Sequence, residues 1–358
     1  MDPLINGLYA IPLIGMLLQF VGYLVAVIPP VAPILLQSAT PLVLAALVGV
    51  MCERSGVVNI GIEGMMLTAA FVGWIVGVIL APMIPADPSP IFGATPALVI
   101  AFAFAVMAAV AVSLVHAWLS ITVRADQIIS GTIINIAAAG LTGYLYTIVS
   151  ANSPAGAGNF IAFKPPPEIA AIPLIGWLLQ MFLNQGPIAM SVLFIVIGFQ
   201  LWLFRSRWGL RTRAVGEHPK AAETVGIDVV RLRYRNVLYG GVLAGLAGAY
   251  LSMEATNSFQ AGMTNGRGFI GLAAMIVGRW TPLGAFGAAL LFSSSQALGQ
   301  VIKFAPPSGD LGDMLGQIPG QFYDALPYLV TIIVLAGFVG RSIPPAADGQ
   351  PYERESAT

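Results

Sequence analysis

Apolar residues run along this chain in long blocks, with short polar breaks between them. The blocks lie at 8–28, 35–52, 57–80, 94–118, 127–149, 188–204, 236–253, 268–278, 282–302 and 326–340. A helix needs about 20 apolar residues to cross a bilayer. The pattern therefore predicts an all-α polytopic membrane protein with about ten transmembrane segments, of which 268–278 is too short to cross alone. A further apolar stretch, 169–184, is broken by Pro173 and is expected to be interfacial or re-entrant. The first block follows Asp2, has no Lys or Arg before Arg54, and is too long for the apolar core of a signal peptide. Residues 1–34 are expected to stay as an anchor helix, 35–341 to form the transmembrane domain, and 342–358 to form a cytoplasmic tail.

Composition agrees with that pattern. Hydrophobic residues make up 57% of the chain and charged residues 9%, against about 25% charged in an ordinary soluble domain. Basic and acidic residues balance at 16 each, which excludes the basic excess of a nucleic-acid binder. Cys52 is the single cysteine, so no intrachain disulfide can form. His116 and His218 lie far from it in sequence, and neither a metal site nor a cofactor is expected. His116, near the end of its block, is expected at the membrane surface.

Charge also orients the chain. Thirteen Lys and Arg residues fall in one set of loops, and three (Lys164, Arg267, Lys303) in the other. Cytoplasmic loops carry the basic excess, so both termini are expected inside. The loop 205–235 is the longest inner loop and holds half of all the basic residues.

Two stretches resemble each other: Ile60-Gly61-Ile62-Glu63-Gly64-Met65-Met66 and Ile270-Gly271-Leu272-Ala273-Ala274-Met275-Ile276. They enter from opposite sides in this topology. Segments two to five and seven to ten would then be two inverted repeats, the arrangement in which transporters build their substrate path. Chance recurrence of Gly, Ile, Leu and Met in apolar sequence is the alternative.

Glu63 is the one acidic residue read well inside a span, four residues after Asn59 and on the same helix face. An intramembrane carboxylate must be paired or face water. It either lines the path or lies near the surface beside Arg54. The block at 127–149 opens with Gln127, Ser130, Gly131, Thr132 and Asn135, which either line a polar path or bond helix to helix. Gly241, Gly245 and Gly248 read as a packing face.

Within the inner loop, Pro219 suits the first position of a helix and Gly226 the residue just past its end. The stretch between them predicts one helix of about two turns, too short to stand alone in water. It docks through small Ala221 and Ala222 into a partner's groove, or lies on anionic lipid. Lys164, Lys220 and Lys303 follow Phe163, Pro219 and Ile302, so no Gly-Lys pair is present for a phosphate-binding loop. The chain is read as a transport subunit and not an enzyme, with its energy coming from a separate ATPase.

These residues carry a family resemblance. Glu53 to Met66, Gln127 to Asn135, Arg213 to Ile227 and Gly268 to Ala274 resemble the permease subunits of bacterial ABC importers for branched-chain amino acids, simple sugars and nucleosides, with the first string closest to the nucleoside and sugar branch. The resemblance covers about residues 35 to 340. It implies a multi-pass protein of the bacterial cytoplasmic membrane, paired with a second permease, an ATP-binding subunit and an external substrate-binding lipoprotein. It implies that Gly216 to Ile227 is the coupling helix, with Gly216, Glu217, Pro219, Ala221, Ala222, Glu223 and Gly226 contacting the ATPase. Asn59, Gly61, Glu63, Gly131, Asn135 and Gly271 are the expected path residues. The loop reads Lys220-Ala221-Ala222-Glu223 where the wider superfamily often has Glu-Ala-Ala, which leaves the individual contacts open. The expected cargo is a nucleoside, then a simple sugar, then a vitamin such as riboflavin. A secondary transporter or channel for a small polar solute is the rival reading.

Overall fold

A computed structural model describes residues 12–150, 158–170, 172, 175–307, 309–334, 336 and 342–353. Among them every regular element is a helix. The helices are α1 (Pro12–Glu53), α2 (Ile62–Met83), α3 (Pro96–Ala117), α4 (Gln127–Ser150), α5 (Pro167–Ala170), α6 (Gly176–Leu183), α7 (Pro187–Arg205), α8 (Arg207–Glu217), α9 (Pro219–Thr224), α10 (Val229–Tyr250), α11 (Arg267–Val277), α12 (Pro282–Phe304), α13 (Asp310–Gly316) and α14 (Gly320–Ile333). Single π-helical turns, Trp118–Val123 and Leu251–Ala255, extend α3 and α10.

Seven stretches are long and apolar enough to cross a membrane: Val31–Glu53 within α1, α2, α3 with its π turn, α4, α7, α10 with its π turn, and α12. Gly15–Val27 and α11 are shorter apolar helices. Of the ten expected segments, seven are thus matched by full-length helices. Among its described residues the 169–184 stretch holds α6 and the end of α5, helices of eight and four residues, and neither can span a bilayer.

Two expectations are corrected. The blocks at 8–28 and 35–52 are not separated by a loop, because α1 is helical without a break. Pro29, Pro30 and Pro33 fall inside this helical run, where proline's φ near −65° is a helical value but each proline gives up one helical hydrogen bond. The inner loop 205–235 holds two helices, not one. Ser206 caps α8 by accepting from the Gly209 N–H at 3.1 Å. Asp228 caps α10 by accepting from the Arg231 N–H at 2.9 Å, so that helix starts at Val229 and not at 236. The apolar block hid this start, since the first two turns of α10 carry three arginines.

The chain divides into two compact units. The first comprises residues 1–38, 164–184 and 290–338; the second comprises 39–163, 185–289 and 339–358. The core of the second unit is built on α1, where nearly every side chain from Leu42 to Cys52 is buried. Helices α2, α3 and α10 pack together, and Gly240 of α10 lies against Val48 and Cys52 of α1. The Gly241, Gly245 and Gly248 face brings α10 close: a Cβ on Gly248 would lie 2.2 Å from the Met66 carbonyl oxygen. Small residues let backbones approach where no water competes. Helices α3, α4 and α7 turn Phe104, Met107, Ile129, Ile133, Ile136 and Phe194 outward. Exposed apolar faces on helices of membrane length suit hydrocarbon, not water.

Candidate functional site

The residues singled out gather at two places in the second unit. The first is a break in the helical run. Between α1 and α2, residues 54–61 are not helical, and their polar backbone is buried. Non-helical backbone at membrane depth must find partners inside the protein, and here it finds them on α3 and α4. Gln127 Oε1 accepts from the Val58 N–H at 2.7 Å. Asn135 works in both directions: its Nδ2 donates to the Ile60 carbonyl at 3.0 Å, and its Oδ1 accepts from the Gly64 N–H at 2.8 Å. Gly131 sits against Gly61, where a Cβ would meet the Gly61 nitrogen at 2.7 Å. Asn59 is fully buried, with its Nδ2 near Cys52 Sγ and Met65 Sδ and its Oδ1 without a hydrogen-bond partner.

His116 belongs to the same network and not to the membrane surface. It is fully buried, with Nε2 3.0 Å from the Val58 carbonyl and Nδ1 3.1 Å from Ser130 Oγ. Its apolar sequence context gave no sign that a polar strand of backbone would lie beside it.

Glu63 stands at the first turn of α2 and reaches the start of α11. Its Oε1 accepts from the Gly266 N–H at 2.7 Å and its Oε2 from the Gly268 N–H at 2.6 Å. Two helix N-termini thus share one carboxylate, a favourable place for negative charge. Segments 59–66 and 268–276 do approach each other, and Glu63 ties them. Arg54 does not pair with Glu63. Its Nε donates to the Trp280 carbonyl at 2.8 Å and its Nη2 to the Arg279 carbonyl at 3.1 Å. Gly271 lies apart from this network and packs on α1, where a Cβ would meet Ala45 Cβ at 2.5 Å.

Glu63 is also not the sole acidic group of the membrane helices. Glu53 ends α1, is buried, and accepts from Trp280 Nε1 at 2.5 Å. Glu254, in the π turn after α10, accepts from the Ile188 and Ala189 N–H groups at 2.8 and 3.1 Å, and so caps α7. The apolar block of α10 in the sequence stops at residue 253, one residue short of Glu254. The π turn that carries the helix past that point leaves no mark in hydropathy.

The second place is the inner loop. Helix α9 begins at Pro219 and stops as its residues demand. The Gly226 N–H bonds the Glu223 carbonyl at 2.9 Å, and the Ile227 N–H bonds the Ala222 carbonyl at 3.1 Å. That pair of bonds needs a left-handed residue after the helix, and Gly226 supplies it with φ of 82°. Ala222 faces inward and packs with Val215, Val229, Leu232 and Tyr352. Ala221, Thr224, Val225 and Gly226 are exposed. Glu217 and Ala221 line an open cleft of about 1010 Å³, whose far wall is Ala346 to Glu353. Gly216 is buried and its carbonyl accepts from the Ala347 N–H at 2.9 Å. Glu223 bonds the Tyr352 hydroxyl.

A membrane-embedded break held by side chains, beside a capped helix presented on a loop, is the build of a transport protein. The family model described as branched-chain amino acid transport system / permease component matches residues 32–335, and the chain belongs to that family. It is 37% identical over 333 residues to the guanosine ABC transporter permease protein NupQ of Bacillus subtilis, covering 92% of this chain and 98% of that protein. It is 38% identical over 325 residues to the nucleoside ABC transporter permease protein NupC of Lactococcus lactis, covering 90% and 96%. The putative glucose ABC transporter permease protein TsgC13 of Haloferax volcanii is 32% identical over 333 residues. Permease subunits of this family are not themselves enzymes, and they are integral to the cytoplasmic membrane.

Proposed function

We propose that the chain is the membrane permease of an ATP-driven importer and carries a nucleoside. A simple sugar is the second choice of cargo. The observation that carries this reading is likeness along nine-tenths of the chain to two permeases named for nucleosides and guanosine. A separate ATP-binding subunit docks on α9, a second permease completes the path, and an external lipoprotein delivers the cargo. The outward face of α9, with small Ala221 flanked by exposed Thr224 and Val225, supports the docking role. Residues 54–61 with Asn59, Gly61, Glu63, Gly131 and Asn135 form the part of the wall that moves, with Gly271 holding α11 on α1. Broken helices joined at their ends are where transporters place such sites.

The finer topology is part of the proposal. Because α1 runs unbroken, Gly15–Val27 and Val31–Glu53 make one crossing and not the two expected. With α11 and α14 beside the other six long helices this gives nine crossings, with the loop 205–235 and the C-terminus in the cytoplasm and the N-terminus outside. Each inverted repeat then contains a long helix, a break and a helix (α1, 54–61, α2; and α10, 256–266, α11). A reporter fused after Ser206 should read cytoplasmic, and one placed at 158–163 should read external. The opposite pattern removes both the orientation and the docking role of α9.

Cargo is tested by uptake in proteoliposomes holding the chain with its ATPase, second permease and lipoprotein partners. Labelled guanosine should enter only with ATP, and unlabelled nucleosides should compete where glucose does not. Competition by glucose alone would move the cargo to sugars. Uptake that needs an ion gradient and no ATP would favour the secondary transporter.

A further inference from the structure

The segment 342–353, expected to be a plain tail, lies folded along the inner loop. It makes contact at every turn. The Ala347 N–H bonds the Gly216 carbonyl at 2.9 Å, and the Ala346 N–H bonds Glu217 Oε2 at 3.2 Å. Further on, the Tyr352 hydroxyl bonds Glu223 in α9, and Glu353 pairs with Arg124 at 2.8 Å. Ala347 and Tyr352 are themselves buried.

Beneath the segment lies Arg233 of α10, which is 1% exposed. A buried guanidinium is costly unless its donors are used. Two of its three nitrogens go to separate pieces of backbone, Nε donating to the Ser55 carbonyl at 3.0 Å and Nη1 to the Gln350 carbonyl at 2.9 Å, while Nη2 is buried without a hydrogen-bond partner. Its guanidinium carbon is also 5.9 Å from the centre of the Tyr352 ring. Ser55 belongs to the 54–61 break and Gln350 to the folded segment. On the same side, the Asp348 carboxyl faces Glu53, the residue at which α1 stops. Loss of water on burial pushes Asp348 up to about 6.

We propose that residues 342–353 are a strap that joins the coupling helix α9 to the 54–61 break through Arg233, so that displacement of α9 reaches the membrane-embedded gate. The inference rests on the reading of α9 as the docking element. Arg233 and Tyr352 are positioning residues: they touch neither ATP nor cargo. Two observations favour a mechanical link over a tail that merely lies on the surface. The strap holds both α8 and α9, and its anchor is a buried cation bonded to the break itself. A single element thereby touches the part that a partner can push and the part that must open.

The deciding variant is Tyr352→Phe, which removes one oxygen and keeps the ring. The first readout needs neither cargo nor partner. Ala347→Cys is introduced with and without Tyr352→Phe, and labelling by a water-soluble maleimide is followed in membranes. Native Cys52 is fully buried and serves as the blank. Loss of a bond to a charged acceptor should raise the labelling rate about tenfold. An unchanged rate overturns the strap. The second readout is labelled guanosine taken up per ATP hydrolysed by the full assembly. Tyr352→Phe should leave ATPase binding and hydrolysis in place and lower uptake per ATP about tenfold, given that about 1.4 kcal/mol is tenfold in an equilibrium. Arg233→Lys, which keeps the charge but cannot bond both carbonyls in the same fork, should lower it likewise. Faster labelling with uptake per ATP unchanged overturns the link and leaves only a surface tail. A wild-type assembly that hydrolyses ATP but imports no nucleoside counts against the cargo reading, and the labelling arm still decides the strap.

Discussion

Ala221→Trp should abolish ATP-driven uptake while the membrane fold stays intact. Ala221 is exposed and borders the cleft of about 1010 Å³ beside α9. An indole there meets nothing in the chain's own core, so the subunit should insert and purify as wild type. It would, however, stand where a groove must close over the helix. Helix-in-groove docking relies on close backbone approach. The ATPase should therefore fail to co-purify, or hydrolyse ATP without transport. The neighbouring residue gives the contrast. Ala222 is 3% exposed and packed against Val215, Val229, Leu232 and Tyr352. Ala222→Trp should overpack that cluster at a cost of about 1–3 kcal/mol or more and lower the melting temperature of the subunit itself. The two variants thus separate a partner's surface from a private core, with melting and co-purification as the measurements. An Ala221→Trp subunit that binds ATPase and transports normally removes α9 as the docking element.

Much of this was legible in the sequence, and the reasons differ by element. The membrane helices announce themselves because hydrocarbon demands long apolar runs. Helix α9 was legible because Pro219 and Gly226 are start and stop signals whose chemistry is local. The Asn135 clamp was half legible: the polar opening of α4 was visible, but a path and a set of helix-to-helix bonds look alike in sequence. In the structure the bonds to Val58, Ile60 and Gly64 occupy these side chains. The start of α10 was missed because charge masked its helical phase. Val229, Leu232, Arg233, Asn236, Val237 and Gly240 fall on one buried stripe at three- and four-residue spacing. That phase, read from Asp228 onward, singles out Arg233 from Arg231 and Arg235. The strap was illegible for a different reason. Most of its bonds use backbone N–H and C=O groups, which every residue carries. Nothing in the letters of 342–353 marks which of those groups will be used.

The second large effect is expected at Glu63. Its carboxylate takes two backbone N–H donors, Gly266 at 2.7 Å and Gly268 at 2.6 Å. Both donors belong to the start of α11, and both would lack a partner within the helix, since the first N–H groups of any helix point outward unpaired. A hydrogen bond to a charged group contributes about 1.5–3 kcal/mol, and a buried donor left unmade costs a similar amount. Glu63→Ala removes both acceptors at once. It should free the start of α11 from α2, lower the melting temperature in detergent, and reduce uptake at least about tenfold on those magnitudes. Glu63→Gln is the informative intermediate. Its amide keeps one acceptor oxygen but turns an NH₂ group toward the other N–H, so one bond is lost and a donor faces a donor. Its uptake should therefore lie between wild type and Glu63→Ala. Glu254→Gln extends the test, because Glu254 holds the start of α7 in the same two-donor manner. It should destabilise the subunit to a similar degree as Glu63→Gln, since the bonds lost are of the same kind. It should spare transport relative to Glu63→Gln, because it does not touch the 54–61 break. Equal losses of uptake in these two variants would make both carboxylates caps alone, and would take Glu63 out of the moving wall.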